Sequence, residues 1–117
     1  MNWQNLTKEE QLSTIDLQSN AHPILIFKHS TRCSISAAAL NRLERKWEDS
    51  KVGKAEMFIL DLIAYRSVSS EIAARYNIAH QSPQVLIILN GKCVYDNSHL
   101  GISFDEIAEI ISEVSPT

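Results

Sequence analysis

Apolar and polar positions divide the chain into alternating segments. Ile24-Leu25-Ile26-Phe27 is apolar throughout and mostly β-branched or aromatic, which predicts a strand buried on both faces. Upstream, Thr7 followed by Glu10 has the form of a capping box, and Leu12, Ile15 and Leu17 mark a rough apolar face. A helix is therefore predicted over about 8–18. Downstream, Ile35, Ala38, Ala39, Leu43 and Trp47 recur at helical spacing, predicting a helix from Ser34 to about Glu48. Met57 to Leu62 reads as a second strand, and Val68, Ile72 and Tyr76 mark the inner face of a shorter helix after it. The runs Gln84 to Leu89 and Lys92 to Asp96 flank Asn90-Gly91. That dipeptide signals a hairpin, because both central residues of a type I′ turn need positive φ. Ser103 and Glu106 form a capping box for a last helix, with Phe104, Ile107, Ile110 and Ile111 inward.

The predicted order is α-β-α-β-α-β-β-α. Strand, helix, strand in succession implies a parallel pair joined by a right-handed crossover, and the hairpin adds antiparallel neighbours. The expected architecture is a single α/β domain over residues 1–117, with a four-stranded mixed sheet flanked by helices on both faces. That is the thioredoxin-like arrangement.

Composition narrows the functional classes. The net charge of −3 argues against a nucleic-acid partner. The clustered cations Arg42, Arg45, Lys46, Lys51 and Lys54 sit at and after a predicted helix end, where they complement the helix dipole. The longest apolar runs are far shorter than the roughly 20 residues of a spanning helix, so no membrane partner is expected. Met1-Asn2-Trp3-Gln4 lacks the pattern of a signal peptide, which predicts a cytoplasmic protein. Two cysteines 60 positions apart make no disulfide framework, and no C-x-x-C or H-x-x-x-H occurs, so no metal site is expected.

The candidate chemistry lies in "KHSTRCSIS", Lys28 to Ser36. A thiol becomes a nucleophile where its thiolate is stabilised, at helix N-termini and beside cations. Cys33 follows a predicted strand and precedes a predicted helix, so its sulfur can face the positive end of the dipole. Lys28, His29 and Arg32 add charge nearby in sequence, and Thr31 and Ser36 add hydroxyl donors. The competing reading is that Cys33 is a small buried hydrophobe, the usual state of a free cysteine. In a thioredoxin-like sheet the strand opened by Ser82-Pro83 runs antiparallel to the strand before Cys33, which lands Pro83 beside it. A two-residue turn at Asn90-Gly91 pairs Leu89 with Lys92 and Ile88 with Cys93, and brings Ser98 and His99 to Pro83. Cys93 then lies ~16 Å along the strand at ~3.3 Å per residue. A disulfide needs Cα atoms within about 7 Å, so Cys33 and Cys93 are not expected to pair.

The segments "LIFKHSTRCSIS", "DLIAYRSVSSEIA" and "HQSPQVLIILNGKCVYDNSH", with the closing helix, resemble the bacillithiol-system YtxJ proteins, the monothiol bacilliredoxins. The resemblance covers nearly the whole chain. It implies a thioredoxin-like enzyme that removes bacillithiol, a low-molecular-weight thiol, from mixed disulfides with proteins. Cys33 would be its redox cysteine and Pro83 its cis-proline. Bacillithiol would be a co-substrate, with no cofactor bound. Partners would be the modified proteins and a disulfide reductase or second small thiol. The family form has proline directly after the cysteine, whereas this chain has Ser34, whose N–H is restored. The resulting C-x-x-S pattern, Cys33 to Ser36, also resembles monothiol glutaredoxins. The candidate substrate-binding set is Lys28, His29, Thr31, Arg32, Ser34, Ser36, Ser82, Pro83 and His99. Two rival classes are a glutaredoxin-like iron–sulfur carrier using Cys33 of two chains, and a non-catalytic binding module on the same scaffold.

Overall fold

A computed structural model describes residues 2–115. The elements in chain order are β1 (Gln4–Asn5), α1 (Glu10–Gln18), β2 (Ile24–His29), α2 (Ser34–Lys46), β3 (Glu56–Asp61), α3 (Arg66–Tyr76), β4 (Gln84–Leu89), β5 (Lys92–Ser98) and α4 (Phe104–Val114). The sheet has five strands in the order β1-β3-β2-β4-β5, not the four expected. The extra strand is two polar residues that run parallel to β3, Gln4 opposite Phe58 and Asn5 opposite Ile59. Two residues are too few to show a period of 2, so no pattern marks them.

β2 is central, parallel to β3 and antiparallel to β4. Successive side chains of a strand point to opposite faces, and here each face feeds its own core. Leu25 and Phe27 join Val85, Ile87, Ala39, Leu43, Phe104, Ile107 and Ile111 on the side of α2 and α4. Ile24 and Ile26 join Leu86, Ile88, Leu12, Ile15, Val68 and Ile72 on the side of α1 and α3. All four apolar residues of β2 are 0% exposed, which is why its sequence is continuously hydrophobic.

The helix boundaries depart from expectation in instructive ways. No Thr7–Glu10 capping box forms. Gln11 reaches back instead, its Oε1 accepting from the N–H groups of Thr7 at 2.7 Å and Lys8 at 2.9 Å. At α4 half of the box is made: Ser103 Oγ accepts from Glu106 N at 3.4 Å, while the Glu106 carboxylate accepts from Tyr95 on β5. On α2 the inner face is Ser36, Ala39 and Leu43, and Ile35 is 61% exposed. Ile35 and Ala38, expected inward, each precede a residue of that face by one position, about 100° around the helix, and are exposed.

The hairpin turn has φ of 53° at Asn90 and 71° at Gly91. Leu89 pairs with Lys92 and Ile88 with Cys93, after which a bulge shifts the register so that Ile87 faces Tyr95 and Gln84 faces Ser98. The extra residue is Val94, 44% exposed. A bulge re-aims the side chains beyond it, and so Cys93 packs against the α1/α3 core while Tyr95 packs against the α2/α4 core.

Candidate active site around Cys33

Cys33 is the residue immediately before the first turn of α2, in an extended conformation with φ −111° and ψ 119°. Its C=O accepts the helix's opening hydrogen bond from Ala37 N at 3.0 Å, and its own N–H donates to Ser30 O at 3.1 Å. The backbone is thus pinned on both sides. The thiol is partly exposed and unbonded to any other sulfur, at a position where the first N–H groups of the helix lack intrahelical partners.

The neighbouring side chains separate into three groups. His29 and Ser36 come together beneath the segment: Ser36 Oγ is 2.6 Å from His29 Nδ1 and accepts from Ser30 N at 3.0 Å. Ser36 is fully buried, so the last position of the C-x-x-S pattern is a bracket holding the loop rather than a free hydroxyl. Burial lowers the His29 pKa below the ordinary histidine value, against the opposing pull of Asp61 and Glu44, which favours a neutral ring. Thr31 donates to the Asp61 carboxylate at 3.4 Å, and Asp61 also accepts from Ile63 N at 3.1 Å, tying the loop to the end of β3. Arg32 and Ser34 are exposed beside Cys33 in the chain.

Lys28 belongs to the opposite face of the sheet. It is 1% exposed, and its ammonium donates to Ser69 O and to His80 Nδ1, both at 3.2 Å. Residues 28 and 29 of a strand cannot share a face, so proximity in sequence brought Lys28 and His29 to different sides. Lys28, placed in the candidate substrate-binding set, is turned instead toward α3 and His80.

β4 and the turn after β5 complete the end of the sheet. The Ser82–Pro83 peptide bond is cis. Pro83 O accepts from His99 N at 3.1 Å, so Pro83 and His99 adjoin as the hairpin register required. His99 has φ of 54°, a left-handed conformation uncommon outside glycine. Ser82 Oγ is buried without a hydrogen-bond partner among the described residues.

Two supporting residues were missed from the sequence. Arg42, read as one of the cations that complement the helix dipole, donates from Nη2 to His99 O at 3.3 Å and Ile102 O at 3.2 Å, binding that turn to α2. Gln84, 1% exposed, donates to Ala79 O at 3.2 Å and accepts from Gln81 N at 3.4 Å, fixing the loop that leads into Pro83. A glutamine inside an apolar strand was the available signal for the second. Arg42 gave none.

Cys93 lies opposite Ile88 near the other end of β4. Burial pushes its thiol pKa up to about 11, the behaviour of a structural thiol.

Comparison with solved structures agrees with this architecture. A chain described as having a thioredoxin fold, and provisionally as an oxidoreductase, is 25% identical, with a TM-score of 0.76 over 90% of this chain and 89% of that one. Fasciola hepatica thioredoxin is 16% identical, with a TM-score of 0.69 over 94% of this chain and 97% of its own. Malassezia sympodialis thioredoxin is 12% identical, with a TM-score of 0.75 over 98% and 92%. The last two speak for the fold alone. The sequence profile described as "Monothiol bacilliredoxin BrxC" matches residues 4–107, which include Cys33, the cis-Pro83 loop and the His99 turn. With a thioredoxin fold and a match of that extent, the chain belongs to the monothiol bacilliredoxin family of redox proteins.

Proposed function

We propose that the protein is a thiol–disulfide oxidoreductase that uses the single cysteine Cys33 to remove bacillithiol, or a similar low-molecular-weight thiol, from protein mixed disulfides. The observation that carries this reading is the position of Cys33, partly exposed directly before the first turn of α2, in a chain of this family. In the first step the Cys33 thiolate attacks the small-thiol sulfur of the mixed disulfide. The target's S–S bond breaks, the protein thiolate leaves and takes a proton from water, and Cys33 holds the small thiol as a new disulfide. In the second step a further small thiolate attacks that sulfur. Cys33 leaves as thiolate, and the oxidised small-thiol dimer passes to a disulfide reductase.

Ser36 supports a single-cysteine cycle, because the site where a resolving thiol would stand holds a buried, doubly hydrogen-bonded hydroxyl. The other thiol, Cys93, is a half-buried strand residue five positions from Pro83 along the β4 register. Exposed Arg32 and His99 are the side chains that would meet the carboxylates of an acidic small thiol. Backbone groups beside Pro83 would hold the extended target, with the exposed Ile35 and Leu100 as apolar contacts. Reaction at a cytoplasmic location fits a reducing compartment.

The test is a target protein carrying a bacillithiol mixed disulfide, incubated with the Cys93→Ser protein and followed by intact mass. The expected result is transfer of one small-thiol mass to the enzyme, cleared by free bacillithiol and absent in Cys33→Ser. Exchange that persists in Cys33→Ser, or no transfer at all, would overturn the reading. Visible absorbance after anaerobic purification would instead favour the iron–sulfur carrier.

A further inference from the structure

The α3 side of the sheet holds a positive charge that the thiol chemistry leaves unused. Lys28 is 1% exposed, yet among the described residues no carboxylate forms an ion pair with it. Its protein partners are neutral, a carbonyl of α3 and a histidine ring. A buried ammonium without a counter-charge is costly, and the ordinary remedies are deprotonation or recruitment of an anion. Burial lowers its pKa from 10.5 to about 8, so most molecules still carry the charge at neutral pH.

His80 transmits that charge outward. A lysine ammonium only donates, so Nδ1 of His80 accepts and the ring proton sits on Nε2. Burial and the adjacent Lys28 both lower the His80 pKa, which keeps the ring neutral in that tautomer. Beside His80 opens a cavity of about 410 Å³, lined by Leu62, Arg66, Ser69, Ser70, Ala73 and His80, two of which, Ser69 and His80, are the hydrogen-bond partners of Lys28. Its polar side chains are a guanidinium, two hydroxyls and an imidazole, and no carboxylate is among them.

We propose that this cavity binds a small molecule through an oxyanion, with Arg66 and His80 as direct donors and Lys28 as the buried counter-charge beneath them. The site requires neither the thiol nor the Proposed function, since Lys28 faces away from α2.

The test is a titration of ¹⁵N-labelled protein with inorganic phosphate, and separately with acetate, against chloride at matched ionic strength. Saturable amide shifts at Ser69, Ser70 and His80 are expected with one or both oxyanions and not with chloride. A response to phosphate alone identifies a phosphate-bearing ligand, and a response to acetate alone a carboxylate-bearing one. Removing the charged donor in Arg66→Gln weakens binding about tenfold, and removing the neutral imidazole donor in His80→Gln weakens it about fivefold. Cys33→Ser leaves it unchanged. Lys28→Met should abolish binding, and if that variant fails to fold, the two exposed substitutions decide. Absence of saturable shifts with either oxyanion, or full affinity in both Arg66→Gln and His80→Gln, would overturn the proposal.

Discussion

Ser36 is the most consequential small residue in the candidate site. Its single oxygen serves both Ser30 N and His29 Nδ1 from a fully buried position. Ser36→Ala strands two polar groups, and equilibrium urea unfolding should show a loss of about 1–3 kcal/mol. Lys28 offers a test through pH. Its folded pKa of about 8 lies below its ordinary 10.5, so between those values the unfolded chain binds more protons and stability rises with pH. Cys93 acts in the opposite sense: its pKa rises from 9.0 to about 11, so stability falls across that window. Urea unfolding in the Cys93→Ser background should therefore show the lysine's rise from about pH 8 up to the tyrosine range near 10, where the raised pKa values of Tyr76 and Tyr95 begin to oppose it, and adding Lys28→Met should remove that rise. Pro83 and His99 were legible as neighbours because strand register is arithmetic, to within the one-residue shift of the bulge. The roles of Lys28 and Arg42 were not, because the direction of a long side chain depends on its surroundings.

At the level of elements, local signals succeeded where the backbone itself is constrained. Asn90 and Gly91 both adopt the positive φ that their identities predict. The turn is further tied to α1, with Gly91 N donating to Ser19 Oγ at 2.9 Å and Asn90 N to Ser19 O at 3.0 Å. An alanine at φ 71° carries the left-handed penalty, so Gly91→Ala should cost about 1–2 kcal/mol in the same unfolding measurement. Helix faces were read less well. Ile35 was placed inward by its spacing alone, and the buried face of α2 runs one position later, through Ser36, Ala39 and Leu43. The Thr7–Glu10 motif matched a capping box, but Gln11, one residue later, takes the Thr7 N–H in place of Glu10 and adds that of Lys8. In both cases tertiary context decided among patterns that are locally equivalent.

For the whole molecule, β-strand order governs what the surface presents. Strands β2 and β4 are paired on both sides and β3 is covered by β1 at Phe58 and Ile59, leaving two edges. The first edge is only two residues long, short enough to offer little. The second, β5, is seven residues long and exposes a row of unpaired backbone groups that another chain's strand can join. Its bulge at Val94 interrupts that row, and exposed Lys92 and Asp96 flank the break. The irregularity that turns Tyr95 toward α4 therefore also protects the protein from itself. Deleting Val94 would restore an unbroken ladder while keeping Gln84 opposite Ser98, and light scattering should then report self-association that the intact chain resists. The kink in β5 thus breaks the exposed edge as well as aiming side chains.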